Sequence, residues 1–219
     1  MVKFFVIEGN IGGGKSTLLT ALEEEYKYSK HIEFWHEPVD KFNNYNGVYH
    51  PLDLYYINPS CEASIVQLHI INVLKKYYEQ KIKEIKPETK IIFTERSLFS
   101  TIIFTKVHHD MGYISEFQRQ FLKNETLSSL KALDLNVVDK IIYIHTSIST
   151  CLTNIQSRSR LSETEFSDMK PYLVRLAFHF NNFINKFERN YGTNTVKRLK
   201  FQNVSTMIKE IQSFIPPFH

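Results

Sequence analysis

The chain has 219 residues, with 27 Lys and Arg against 23 Asp and Glu, a net charge of +4, and 42% hydrophobic residues. That length suits one α/β domain with a sizeable core, and the interleaving of both charge signs argues against a nucleic-acid partner, while a mild cationic excess suits a polyphosphate ligand. The two cysteines, Cys61 and Cys151, make no C-x-x-C or metal pattern, and no targeting segment or membrane-length apolar run is read, so free thiols and a cytoplasmic location are expected, with no membrane partner.

In chain order, Val2 to Glu8 is an apolar, β-rich run that passes directly into Gly9-Asn10-Ile11-Gly12-Gly13-Gly14-Lys15-Ser16, a full G-x-x-x-x-G-K-[ST] loop. Glycines let a backbone wrap closely around an anion, and the amides and dipole of the following helix face it. Ser16 to Tyr26 supplies that helix, with Leu18, Leu19 and Leu22 on one side. Residues Gly9 to Ser16 and the adjoining Thr17 are therefore expected to hold a nucleoside triphosphate, with Lys15 on its β and γ oxygens and Ser16 as a Mg²⁺ ligand.

A second strand is expected at His31 to Trp35, ended by Pro38, which leaves Glu37 at the rim of the sheet. Cys61 to Ile85, stopped by Pro87, reads as a long helix on which Gln67, Ile70 and Leu74 share one face. A strand at Lys90 to Thr94 runs into Glu95-Arg96-Ser97. A helix follows at about Ser115 to Leu133, then strands at Lys140 to His145 and Thr195 to Phe201. Between the last two strands, Arg158-Ser159-Arg160-Leu161-Ser162-Glu163 is a polar stretch between two helices. Strands alternating with helices predict a five-stranded parallel sheet covered on both faces, with ligands at the carboxyl ends of the strands. Taken singly, a rim carboxylate is explained by solvation, an acid beside an arginine by a surface pair, and a buried glutamine by a satisfied core amide.

Taken together, a P-loop, then Glu37-Pro38-Val39-Asp40-Lys41, then Glu95-Arg96-Ser97, then R-x-R-x-x-E resembles the deoxynucleoside kinase family over nearly the whole chain. That family includes deoxycytidine, deoxyguanosine and mitochondrial-type thymidine kinases and the broad-specificity insect enzyme. Lesser echoes in the same order are Leu54-Tyr55-Tyr56-Ile57-Asn58-Pro59 and Gln67. The resemblance implies a single P-loop kinase domain over residues 1–219 with an arginine-bearing lid at about 156–167, a homodimer, and ATP with Mg²⁺ as phosphate donor. It implies that Glu37 is the base for a 5′-hydroxyl, that Arg96 holds that oxygen and the incoming phosphoryl, and that Glu95 joins Ser16 at the metal. Arg158 and Arg160 match the last two lid arginines, with Asn154 where an earlier one stands in the family. Glu163 and Tyr56 would bind the 3′-hydroxyl, and Gln67 the base edge.

Leu161-Ser162 breaks the family's usual run of polar and acidic residues in the lid, and three positions of the base pocket depart as well. Val66 stands where an aromatic often stacks on the base, which leaves Trp35 and Phe42 two readings, aromatic surface for the ligand or plain core. Leu74 and Thr101 stand where family members that handle deoxycytidine and purines together carry an arginine and an aspartate. An uncharged pocket implies pyrimidine deoxynucleosides, thymidine included, with the Thr101 hydroxyl left as a further substrate contact. Two other classes share the loop: a P-loop switch or motor, against which stands the lack of D-x-x-G and L-S-G-G-Q, with Asn185-Lys186-Phe187-Glu188 only near to N-K-x-D, and a nucleoside monophosphate kinase.

Overall fold

The computed structural model describes residues 2–134, 138–158 and 161–215, with Leu161 described by its backbone only. Among the described residues, β1 (Lys3–Gly9), β2 (Ile32–Trp35), β3 (Ile91–Glu95), β4 (Lys140–His145) and β5 (Val196–Lys200) form a sheet in the order β2-β3-β1-β4-β5. Every pairing is parallel. The strands lie within a residue of the positions expected from sequence.

Parallel neighbours need crossover connections, and helices supply them. α1 (Lys15–Glu25) joins β1 to β2, and α2 (Val39–Phe42), α3 (Pro51–Ile57) and α4 (Pro59–Lys83) lead to β3. α5 (Leu98–Asp110) and α6 (Glu116–Ala132) lead to β4; α7 (Ile148–Ser157), α8 (Leu161–Glu165) and α9 (Met169–Tyr191) lead to β5; α10 (Val204–Gln212) closes the described chain. The long helix starts two residues before its expected Cys61, because Pro59 fits a first turn, where its missing N–H has no intrahelical partner to lose. Ser115 caps α6 reciprocally: its hydroxyl accepts from Gln118 N at 3.3 Å, and Gln118 Oε1 accepts from Ser115 N at 2.8 Å. The arginine stretch is not all irregular, since α8 forms inside it.

Alternation along β1 divides the interior. Phe5 and Ile7 pack with Leu18, Leu19 and Leu22 of α1 and Met207 and Ile211 of α10. The opposite face meets α4, α5, α6 and α9, with Ile92 and Tyr78 in one cluster and Tyr143, Leu173 and Phe180 in another. Trp35 is 1% exposed and sits edge-on to Phe4, 5.6 Å away, so the aromatic surface expected of it for a ligand is instead core. Phe42 does reach the cavity described below. β1 lies at the centre, between β3 and β4, and the crevice opens where the chain leaves toward opposite edges.

Candidate active site

The three strand-end signals and the glycine loop come together around one cavity of about 420 Å³. Ile11 to Thr17 line one end of it. Gly12 has φ +69°, and a Cβ there would lie 2.4 Å from the Cys151 carbonyl oxygen of α7, so backbone angle and space both demand glycine. Two distant side chains hold the loop: Thr146 Oγ1 donates to Gly13 O at 3.0 Å, and Asn154 Nδ2 donates to Gly12 O at 2.7 Å. Asn154, aligned with a family lid arginine, thus serves the loop.

Gly9 and Asn10, expected among the nucleotide-binding residues, do not line the cavity. The Asn10 amide is consumed internally, donating to Leu173 O at 2.9 Å while its oxygen accepts from Ile11 N at 3.0 Å. Lys15 Nζ donates to Asn10 O at 2.9 Å, and burial, then the nearby Arg96 charge, lowers its pKa to about 8. Ser16 Oγ donates to Glu95 Oε1 at 2.8 Å, bringing together the two groups expected at the metal.

Arg96 is the most constrained residue of the site. Its φ of 61° is left-handed, a conformation that costs a non-glycine residue about 1–2 kcal/mol. The main chain holds it there, with Arg96 N donating to Ile7 O at 3.0 Å and its carbonyl accepting from Thr94 Oγ1 at 3.2 Å and the Tyr78 hydroxyl at 3.3 Å. The guanidinium donates through Nη1 to Gly9 O at 3.2 Å and lies over the rings of Phe104 and Phe180, 4.9 and 5.7 Å from their centres. Two carboxylates flank it. Glu37 Oε2 is 3.4 Å from Nε, and Glu8 Oε2 is 3.7 Å from Nη1. Burial raises the Glu37 pKa, with Arg96 opposing the rise. Burial also pushes Glu8 up to about 6, against the pull of Arg96 and of its hydrogen bond with Ser100.

On the lid side, Arg158 Nη2 is 3.5 Å from Glu163 Oε2. Arg160 lies outside the described residues. The Ser162 hydroxyl donates to the Asp53 carboxylate, which also accepts from Asn43 Nδ2 at 3.1 Å, tying α8 to α3. Tyr56 packs against Phe166, with ring centres 5.3 Å apart. At the far end, Val66, Gln67, Ile70 and Leu74 of α4 face Thr101, Phe104 and His108 of α5. Gln67 is 3% exposed. The Thr101 hydroxyl is engaged within the protein, donating to Leu98 O at 2.7 Å and 2.9 Å from Thr126 Oγ1.

Sequence reading passed over Glu8, His108 and Tyr172. The alternation that turns Phe4 and Val6 to one face of β1 also turns Glu8 to it, and helical spacing from Thr101 to His108 puts both on one face of α5. His108 Nε2 lies 3.1 Å from the Tyr172 hydroxyl, and burial lowers its pKa to about 3, which keeps the imidazole neutral. Among the described residues, no three His, Cys, Asp or Glu side chains cluster as a metal cage, and no helix is long and apolar enough to cross a membrane.

A parallel sheet with a glycine-rich loop after its central strand, and an acid and an arginine at the end of the neighbouring one, defines an α/β fold of the P-loop kinase type. Residues 5–215 match the family model described as deoxynucleoside kinase, and the chain belongs to that family. It is 31% identical over 159 residues to a probable deoxycytidine kinase of fowlpox virus, covering 72% of this chain and 62% of the relative. It is 28% identical over 159 residues to human mitochondrial thymidine kinase 2, covering 72% and 56%. To a deoxyadenosine kinase of Lactobacillus acidophilus it is 27% identical over 186 residues, covering 82% and 79%. The matched region thus spans less than two thirds of the length of the first two relatives.

The loop geometry carries a direct expectation. Gly12→Ala should leave the far-ultraviolet circular dichroism spectrum unchanged and weaken ATP binding by about tenfold or more, because strain of about 1–2 kcal/mol falls on the loop in addition to the contact with Cys151. Titration calorimetry with a non-hydrolysable ATP analogue reads it.

Proposed function

We propose that the protein transfers the γ-phosphoryl group of ATP to the 5′-hydroxyl of a deoxynucleoside, giving the 5′-monophosphate in nucleotide salvage. The observation that carries this reading is the pair of Glu37 and Arg96, 3.4 Å apart, in the wall of a single cavity that joins the glycine loop to Gln67. A 5′-hydroxyl is a poor nucleophile, so Glu37 accepts its proton as the phosphoryl group arrives. Arg96, already fixed, meets charge that develops in the transition state without reorganising. Lys15 exchanges the Asn10 carbonyl for phosphate oxygens, Arg158 and Arg160 close over the triphosphate, and Tyr56 with Glu163 holds the 3′-hydroxyl. This reading leaves a nucleoside-independent switch or motor without a use for the Gln67 end of the cavity.

The residues present fit a magnesium ion. Ser16 and Glu95 put a hydroxyl and a carboxylate oxygen 2.8 Å apart beside the loop, and an ion that keeps water and phosphate ligands needs only one or two protein oxygens. When bound, Mg²⁺ offsets phosphate charge.

For the base, the relatives' names divide: deoxycytidine and thymidine for two, deoxyadenosine for a third. The Gln67 amide offers both a donor and an acceptor, and Leu74 and Thr101 bring no charge to the pocket. This supports pyrimidine deoxynucleosides, which differ at that edge by exchange of donor and acceptor. In a panel of four deoxynucleosides with ATP and Mg²⁺, thymidine or deoxycytidine should give the highest kcat/KM. A purine in first place would overturn the pocket reading, and turnover of none of the four would overturn the kinase reading.

Glu37→Gln should retain ATP binding and lose about 10²-fold or more in kcat. The base works ionised, so kcat/KM should rise with pH through the Glu37 pKa. With burial raising that pKa, the midpoint of the acid limb should lie above the ordinary glutamate value of 4.5.

A second copy of the chain is the proposed partner. Ile65 of α4 and Phe117 and Phe121 of α6 are 66%, 79% and 44% exposed, and they flank the hydrogen bond of 3.1 Å from Gln118 Nε2 to Ser64 Oγ that joins the two helices. Phe117→Glu should convert a two-chain mass to a one-chain mass in light scattering; an unchanged mass would move the interface elsewhere.

A further inference from the structure

The Glu8 carboxylate has no place in the reading above, and its surroundings are those of a built site. It is fully buried at the carboxyl end of the central strand, on the face shared with Phe4 and Val6. A lone carboxylate at such a position would carry a desolvation penalty of several kcal/mol. Here Oε1 accepts from the Ser100 hydroxyl at 2.5 Å and from the Ser97 hydroxyl at 3.3 Å. Ser97 is the N-cap of α5 and Ser100 lies in its first turn, positions whose hydroxyls ordinarily serve the helix amides. Ser100 Oγ still accepts from Ser97 N at 3.2 Å, so one hydroxyl links the helix start to the carboxylate. Oε2 has no hydrogen-bond partner among the described residues and lies 3.7 Å from Arg96 Nη1.

We propose that Glu8 is a positioning residue for the phosphoryl transfer described above: it holds the Arg96 guanidinium from the interior side, so that Nε is presented to Glu37 and the cavity. The inference rests on that reading for its consequence in catalysis, but its geometry is independent of it. The guanidinium is a rigid fork, and its Nη1 edge is anchored by Gly9 O and Glu8 while Nε lies beside Glu37. Phe104 and Phe180 limit rocking out of the plane but leave rotation within it. Glu8 supplies the in-plane restraint, and the two serines fix Glu8. Other charged or titratable groups that face this cluster are Lys15 of α1, Tyr78 of α4, Tyr143 of β4 and Tyr172 of α9.

The test is a double-mutant cycle with Glu8→Gln and Arg96→Ala, read on kcat and KM of the full chain with ATP, Mg²⁺ and the best deoxynucleoside of the panel. Glu8→Gln keeps the shape and an acceptor for the serines. Alone, it should lower kcat about tenfold or more and change either KM less than threefold; in the Arg96→Ala background it should change kcat less than twofold, because the residue it positions is gone. Equal losses in both backgrounds, or a rise in KM with kcat preserved, would overturn the proposal. Should Glu8→Gln not fold, Ser100→Ala releases the same carboxylate and should show the same background dependence at smaller amplitude. A substrate-free measurement separates this inference from the kinase reading. The Arg96 Nε–H resonance, assigned by its loss in Arg96→Ala, should be sharp and slow to exchange in the wild type and broadened in Glu8→Gln. An unchanged resonance would overturn the inference whatever the enzyme does, and a wild type that phosphorylates no deoxynucleoside would overturn the kinase reading while this resonance still decides for Glu8.

Discussion

The site is organised around one cation that cannot easily move. Arg96 sits in a left-handed backbone conformation, its peptide groups bonded to β1, to Thr94 and to α4, and its guanidinium lies among a carbonyl, two carboxylates and two aromatic rings. The contacts come from four parts of the chain: Gly9 and Glu8 from β1, Glu37 from beyond β2, Phe104 from α5 and Phe180 from α9. The positions of those elements relative to one another therefore converge on a single side chain. A lysine could not replace it, because a point charge on a flexible stem cannot meet two carboxylates and two ring faces at once.

The charges around it balance one another across the cavity wall. Lys15 and Arg96 stand against Glu8, Glu37 and Glu95, and the raised pKa values of Glu8 and Glu37, with the lowered one of Lys15, are the imprint of removing those three groups from water. Meanwhile Lys15 rests on a carbonyl of its own loop and Ser16 on Glu95. These internal bonds occupy the groups that a triphosphate and a metal would use. Under the proposed function, binding would exchange one set of partners for another.

Local signals made much of this legible in the sequence. The glycine loop, the five strands and the rim positions of Glu37 and Arg96 each follow from a short run of residues whose spacing has one physical meaning, and the structure has them where that spacing put them. What escaped was set by tertiary partners. Glu8 looks like the polar end of a strand until α5 is packed over it, and Asn154 looks like a missing lid cation until the loop carbonyl is seen beside it. The aromatic Trp35 faces the core rather than the ligand because the alternation of β2 and the arrival of Tyr78 decide its side of the sheet. The arginine stretch reads as a polar connection between two helices, yet its last three residues begin α8, held toward α3 through Asp53.

The props of the glycine loop have a further meaning for how the protein is made. Asn10 reaches Leu173 across 163 positions, Gly12 is held by Asn154 across 142 and Gly13 by Thr146 across 133. A chain emerging from the ribosome exposes the loop early and its supports late. Until α7 and α9 have been synthesised and docked, the nascent loop is a flexible glycine run with no fixed cradle for an anion. A formed cradle in this loop therefore waits for α9, as a property of the closed fold rather than of the motif that advertises it.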